Sequence, residues 1–269
     1  VREAARGRRT IVLAENELQQ AEQARPVSRG GMGMDGLWND DFHHSAVVAL
    51  TGRREAYYSD HRGTPQEFIS ALKYGYLFQG QFYHWQGKRR GTPAFDLPPA
   101  LFVNFIENHD QVANSGRGDR LTRRTSPGRY RAMTALLLLA PSTPMLFQGQ
   151  EFASSRPFHY FADHHPDLAK LVAVGRTRFM RQFPSLASPT GVWQPAPHDP
   201  ATFAQCQLQW AERDSHSWAV ELHRDLLRLR REDPTFSRQR LRSLDGAILG
   251  TSAFLLRYFS EQGLDRLLL

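Results

Sequence analysis

Cysteine is nearly absent. Cys206 stands alone among 269 residues, so no intrachain disulfide or multi-cysteine metal cluster can form, and a reducing, cytoplasmic setting is expected. Between polar neighbours, Cys206 itself reads as a small half-buried residue. Long apolar runs are also missing. The longest, residues 132–147, is interrupted by Pro141 and Pro144 and falls short of the roughly 20 residues a bilayer span needs, so a soluble protein with no membrane partner is expected. Lysine is scarce: Lys73, Lys88 and Lys170 are the only ones among 34 cationic residues. The arginines that make up the rest are scattered among 27 acidic residues, so the net charge of +7 describes a solvated surface rather than a phosphate track, and nucleic acid is not an expected partner. No G-x-G-x-x-G or G-K-[ST] loop follows an apolar run, which weakens nucleotide-binding readings. H-E-x-x-H and G-x-S-x-G are missing too, and the adjacent histidines His43-His44 and His164-His165 point to different helix faces, so neither metal nor a serine triad is expected.

What is present is a recurring unit. With 41% apolar residues the chain can bury a sizeable core, and its short apolar runs are each followed by polar residues and then by helical spacing. Strands are expected at residues 10–14, 34–38, 101–106 and 144–147. Helices are expected at residues 42–50 behind an Asp N-cap, at 65–77 capped by Thr64 with Phe68, Leu72 and Tyr76 on one face, at 127–140, at 163–181 and at 217–231. Residues 184–200 read as a loop with five prolines. Parallel neighbours need crossover helices, so four such units predict a parallel sheet. Every strand ends in carboxylates, amides or histidines at its carboxyl side, where a (β/α)₈ barrel gathers its site. Four strands are half of such a barrel. Apolar runs at 247–249, 253–259 and 267–269 suggest a small all-β unit, placing an α/β unit at 1–236 and the beginning of a β-sandwich at 237–269. The opening on Val1 and the apolar close suggest a piece of a longer chain.

Two carboxylates, Glu15 and Asp110, follow apolar strands directly. Glycosidic cleavage needs a protonated acid for the leaving oxygen and negative charge near the anomeric carbon. Glu15, partly buried behind its strand, suits the acid, because burial raises a carboxyl pKa. Asp110, between His109 and Gln111, suits a carboxylate kept ionised by hydrogen bonds. Helix capping is the alternative for either residue.

The motifs sharpen this. Ala14-Glu15-Asn16, Trp38-Asn39-Asp40-Asp41-Phe42-His43-His44 and Asn108-His109-Asp110-Gln111, in this order and spacing, resemble the α-amylase superfamily of glycoside hydrolases, and within it the maltooligosyltrehalose trehalohydrolase family. Tyr57-Tyr58, Gly118-Asp119-Arg120, residues 143–151 and the Asp199-Pro200-Ala201-Thr202-Phe203 turn are similar to that family as well. The resemblance implies a (β/α)₈ TIM barrel, here its strands 5 to 8, and a retaining hydrolase that cuts the α-1,4 bond next to the trehalose end of maltooligosyl trehalose. It implies no metal or organic cofactor. Glu15 matches the family's general acid/base and Asp110 its transition-state stabiliser. His109 would hydrogen-bond the sugar; Asn16, Trp38, Asp40 and His43 would shape the trehalose pocket; Tyr58 and Trp85 would wall it, with Asn108 and Gln111 as further substrate contacts. The family nucleophile, an aspartate on the fourth barrel strand, has no counterpart in these residues. Departures fall at Glu17, where the family usually has Asp, and at Gln86 and Arg90, where it usually has Arg and His. A branching or debranching relative, or an inactive carbohydrate-binding fragment, are the alternatives.

Overall fold

The structure is a computed structural model that describes residues 3–5, 7–186 and 195–269. Residues 187–194 of the proline-rich loop lie outside it. Strands β1 (Leu13–Ala14) and β2 (Gly36–Trp38) pair in parallel through Leu13↔Gly36 and Ala14↔Leu37. Helices α1 (Asp40–Thr51) and α2 (Pro65–Tyr74) follow, then a two-stranded hairpin of β3 (Phe82–Tyr83) and β4 (Lys88–Arg89). The chain rejoins the sheet as β5 (Phe102–Asn104), parallel to β2, passes through α3 (His109–Ala113) and α4 (Pro127–Leu139), and ends the sheet with β6 (Thr143–Pro144). The order β1-β2-β5-β6 repeats the order along the chain, as successive crossover units require. All four strands therefore end on one edge.

Each strand is shorter than its apolar run. β1 has only two residues, because no further strand covers its outer side among the described residues; Ile11 is 67% and Leu13 47% exposed. β5 stops at Asn104, yet Phe105 and Ile106 beyond it are fully buried. β6 ends at Pro144, which has no N–H to donate.

A buried amide ladder ties the strand ends together. Asn39 donates to the Asn104 side chain and to the Gly75 carbonyl, both at 2.8 Å, and Asn104 donates to Ser142 Oγ at 2.7 Å. Asn39 Oδ1 also accepts from the Phe42 N–H at 3.3 Å. The N-cap of α1 is thus Asn39 rather than an aspartate, and Asp40 and Asp41 lie inside the first turn, where their charge opposes the helix dipole favourably. α2 ends three residues earlier than its pattern suggests. Gly75 turns the chain at φ 90°, where a Cβ would fall 2.2 Å from the Phe102 ring, so Tyr76 is buried from the following turn, edge-on to Phe102, and not from the helix face.

Beyond the sheet come α5 (Pro166–Met180), α6 (Pro200–Cys206), α7 (Glu212–Ser215) and α8 (Ser217–Glu232). The expected turn at Asp199 is the capped start of α6, its carboxylate accepting from the Ala201 N–H at 2.8 Å. Cys206, at the end of α6, is buried. An antiparallel sheet of β7 (Leu244–Gly250), β8 (Ala253–Tyr258) and β9 (Arg266–Leu268) closes the chain. It docks on α2: Phe254 stacks on Phe68 at 5.9 Å, Lys73 meets Asp245 at 2.6 Å, and Gly246 lets β7 approach Ile69 where a Cβ would sit 2.8 Å away. A partial (β/α)₈ barrel with a small all-β unit on its flank is the fold. No helix among the described residues is long and apolar enough to cross a membrane.

Replacing Asn39 by Ala removes a helix cap and leaves two buried acceptors unpaired, so Asn39→Ala is expected to destabilise the protein by about 2–4 kcal/mol. Urea unfolding measures it; an unchanged midpoint would show that the ladder is dispensable.

Candidate functional site

Glu15 and Asn16 follow β1, Trp38, Asp40 and His43 lie at and beyond the end of β2, and Asn108, His109, Asp110 and Gln111 follow β5, whereas Tyr58 comes from a turn after α1 and Trp85 from the turn between β3 and β4; burial divides these residues into two layers. The upper layer is open. Glu15 follows β1 with its side chain exposed, so the partial burial expected of it is not found: β1 is the edge strand and nothing among the described residues overhangs it. His109 and Asp110 open α3 with side chains 52% and 47% exposed, His109 Nε2 standing 3.6 Å from Asp110 Oδ2. Trp38, at the end of β2, meets the His109 ring edge-on at 6.3 Å and the Phe105 ring at 5.5 Å, which joins the β2 and β5 ends. Neighbouring parallel strands lie about 4.8 Å apart, so the ends of β1 and β5, with β2 between them, stand roughly 10 Å apart.

The lower layer is a support. Asn108 caps α3 by accepting from the Gln111 N–H at 2.8 Å, which aims His109 and Asp110 outward. Gln111 Oε1 accepts from both Tyr57 and Tyr58 hydroxyls, at 2.7 and 2.8 Å. Tyr58 is itself buried, and Trp85 is half-buried, edge-on to Tyr57 at 5.7 Å. His43 is buried and stacked on Phe105 at 5.2 Å, its Nδ1 lying 3.0 Å from that of His44. Burial, with Arg124 and His61 adding to it, pushes the His43 pKa down to about 3. Asn16 is buried and spends its amide on its own loop, donating to the Gln20 carbonyl and accepting from the Gln20 N–H, both at 3.1 Å.

Between the layers sits a charge cluster that the motifs alone did not reveal. Asp41 is fully buried and accepts from the Leu77 and Phe78 N–H groups at 2.9 and 2.7 Å, from His61 Nε2 at 3.4 Å and from Arg90 Nε at 3.3 Å. Burial pushes its pKa upward, but these partners outweigh it and hold the carboxyl below the ordinary value. Asp40, next in line and 17% exposed, differs: burial, opposed by Arg90 and reinforced by the negative charges of Asp41, Glu15 and Glu17, raises it to about 6. Glu17 and Gln86, two departures from the family pattern, contact each other, the Gln86 amide donating to the Glu17 carboxylate. Below Asp110, the buried Glu107 accepts from the Leu121 N–H and lies 3.8 Å from Arg120. Glu107 is the first residue of its Glu-Asn-His-Asp run, so its place under the strand end was the available signal. No group of three or more His, Cys, Asp or Glu stands together to hold a metal among the described residues.

No protein-family model matches the chain. Curated relatives do. The malto-oligosyltrehalose trehalohydrolase of Deinococcus radiodurans is 39% identical over 224 residues, which cover 80% of this chain and 37% of that protein. The enzyme of the same name from Saccharolobus solfataricus is 33% identical over 223 residues, 82% of this chain and 37% of that protein. A solved structure described as an α-amylase from Salmonella typhimurium superposes with a TM-score of 0.83 at 32% identity, covering 96% of this chain and 44% of that one. Over about four-fifths of its length the chain is thus similar to malto-oligosyltrehalose trehalohydrolases. It spans under half the length of the relatives it matches. An α-amylase from H. orenii, at 14% identity and a TM-score of 0.52 over 97% of this chain, shares the fold.

The depressed His43 value sets a measurable expectation. An imidazole held down by burial stays neutral through the range near 6.5 where a free histidine titrates. An NMR titration of the His43 ring should therefore show no transition until the pH approaches about 3; a transition near 6.5 would show that the ring is hydrated.

Proposed function

We propose that this chain supplies the carboxyl-terminal half of the active-site cleft of a retaining glycoside hydrolase that releases trehalose from maltooligosyl trehalose. The observation that supports it most is the open rim: two carboxylates, Glu15 and Asp110, at one strand edge with Trp38 and His109 between them. In this reading Glu15 gives its proton to the oxygen of the scissile α-1,4 bond and later takes one from the attacking water. Asp110 stays charged and stabilises the oxocarbenium-like transition state. His109 hydrogen-bonds the sugar held there, and Trp38 offers an aromatic face to its apolar side.

The attacking carboxylate comes from a strand outside these residues, since retaining chemistry places nucleophile and acid about 5–5.5 Å apart and Asp110 already has another task. Asp40 bounds the pocket for the trehalose leaving group, with Asn16 and His43 shaping it from beneath. Tyr58, Asn108 and Gln111 act by fixing α3 beneath the sugar, and Trp85 closes the wall behind Tyr57. The sugar is the partner, and the reaction needs no cofactor.

In the full-length enzyme, Glu15→Gln should lower kcat for trehalose release by about 10²–10⁴-fold with KM nearly unchanged; near-normal turnover would reject the acid role. Asp110→Asn should do likewise, and retained activity would show its charge to be incidental. The 269-residue chain by itself should release no trehalose, because it lacks the nucleophile; trehalose formed by the pure chain would overturn that. Assaying maltooligosyl trehalose against glycogen separates this reading from a branching or debranching activity.

A further inference from the structure

Arg90 is the feature of the site that the reaction above leaves unused. It is 2% exposed, yet it carries a full charge on the turn leaving β4. Its guanidinium lies over the Tyr83 ring at 4.8 Å, its Nε reaches Asp41 at 3.3 Å, and its Nη2 stands 3.9 Å from Asp40 Oδ2. That last nitrogen is buried with no hydrogen-bond acceptor. An ion pair built only for stability would not leave it so, because Asp41 is already satisfied by two backbone N–H groups and His61. A buried N–H without an acceptor costs free energy, and this one is aimed at the carboxylate that bounds the rim.

We propose that Arg90 is a positioning residue for the sugar pocket: pinned by Asp41 and walled by Tyr83, it holds Asp40 as a charged carboxylate that accepts hydrogen bonds from the sugar hydroxyls bound beside Glu15. The identity of that sugar rests on the trehalose reading above; the charge relation does not. The groups that act on Asp40 are few. Asp41 on its own helix and Glu15 and Glu17 after β1 are negative, and Arg90 is the cation that opposes them. The phenols of Tyr57, Tyr58, Tyr76 and Tyr83 face it as neutral groups, their own ionisation pushed upward chiefly by burial. Removing Arg90 takes away the cation that opposes them, so Asp40 takes up a proton at higher pH, and the accepting form is lost sooner as pH falls.

The test uses the full-length enzyme. Arg90→Met keeps an apolar stem against Tyr83 and removes the charge. It should move the acid limb of kcat/KM upward by about one pH unit or more, through KM, with kcat on the plateau changed little. Arg90→Lys should keep the limb near the parent's. In an Asp40→Asn background, adding Arg90→Met should move the profile no further. The proposal is overturned if the Arg90→Met profile superimposes on the parent's, or if the shift persists in the Asp40→Asn background. Should Arg90→Met not fold, trehalose binding to Arg90→Gln across the same pH range decides: binding lost at a higher pH than in the parent supports the proposal, and a pH dependence like the parent's overturns it. If the unsubstituted enzyme cleaves maltooligosaccharides without releasing trehalose, the trehalose reading fails by itself, and the Arg90→Met shift is read on that cleavage.

Discussion

Asn39 is the joint of this structure. One side chain caps α1, holds the Gly75 carbonyl at the end of α2 and pairs with Asn104 on the next strand. Because these groups are buried, each would carry a desolvation penalty if left alone. The ladder therefore fixes the height at which β2 and β5 end, and with it the height of Trp38 and of the turn into α3. Parallel pairing contributes the direction of the strands; the amides set where the polar rim begins.

From that joint the site grows in two layers with different physics. Below, amides, phenols and neutral imidazoles satisfy one another in a water-poor setting, which makes them rigid. Above, Glu15, His109 and Asp110 are free to meet a ligand. The cluster of Asp40, Asp41 and Arg90 lies between. There two carboxylates adjacent in sequence are driven apart in acidity by their partners: Asp41 receives four hydrogen bonds or ion contacts, Asp40 only the edge of a guanidinium. Environment, not residue type, separates a structural carboxylate from one poised to titrate.

Much of this was legible in the sequence. The strand-then-helix alternation gave the parallel sheet, and the polar residues after each apolar run located its working edge. Helices with a clear stop, such as α4 and α8, were read to within a residue or two. The strands were overestimated because apolar runs continue past the last ladder hydrogen bond, as Phe105 and Ile106 do. The Asn39 cap was missed because Asn-Asp-Asp offers three capping residues in a row, and only tertiary contacts to Asp41 decide among them. Arg90 was visible as a departure from a family pattern, but not its burial: a long cationic side chain is ordinarily on the surface, and nothing local marks the one that turns inward.

In the proposed function the strand edge carrying Glu15, Trp38, Asp40 and Asp110 is a single sugar-binding surface. A crystal structure of the full-length enzyme with trehalose bound tests it most directly. The disaccharide is expected to lie against Trp38, with the Asp40 carboxylate accepting from its hydroxyls and the Glu15 and Asp110 carboxylates facing the same end of it. Trehalose bound away from this edge, or Glu15 and Asp110 turned to different cavities, would contradict it.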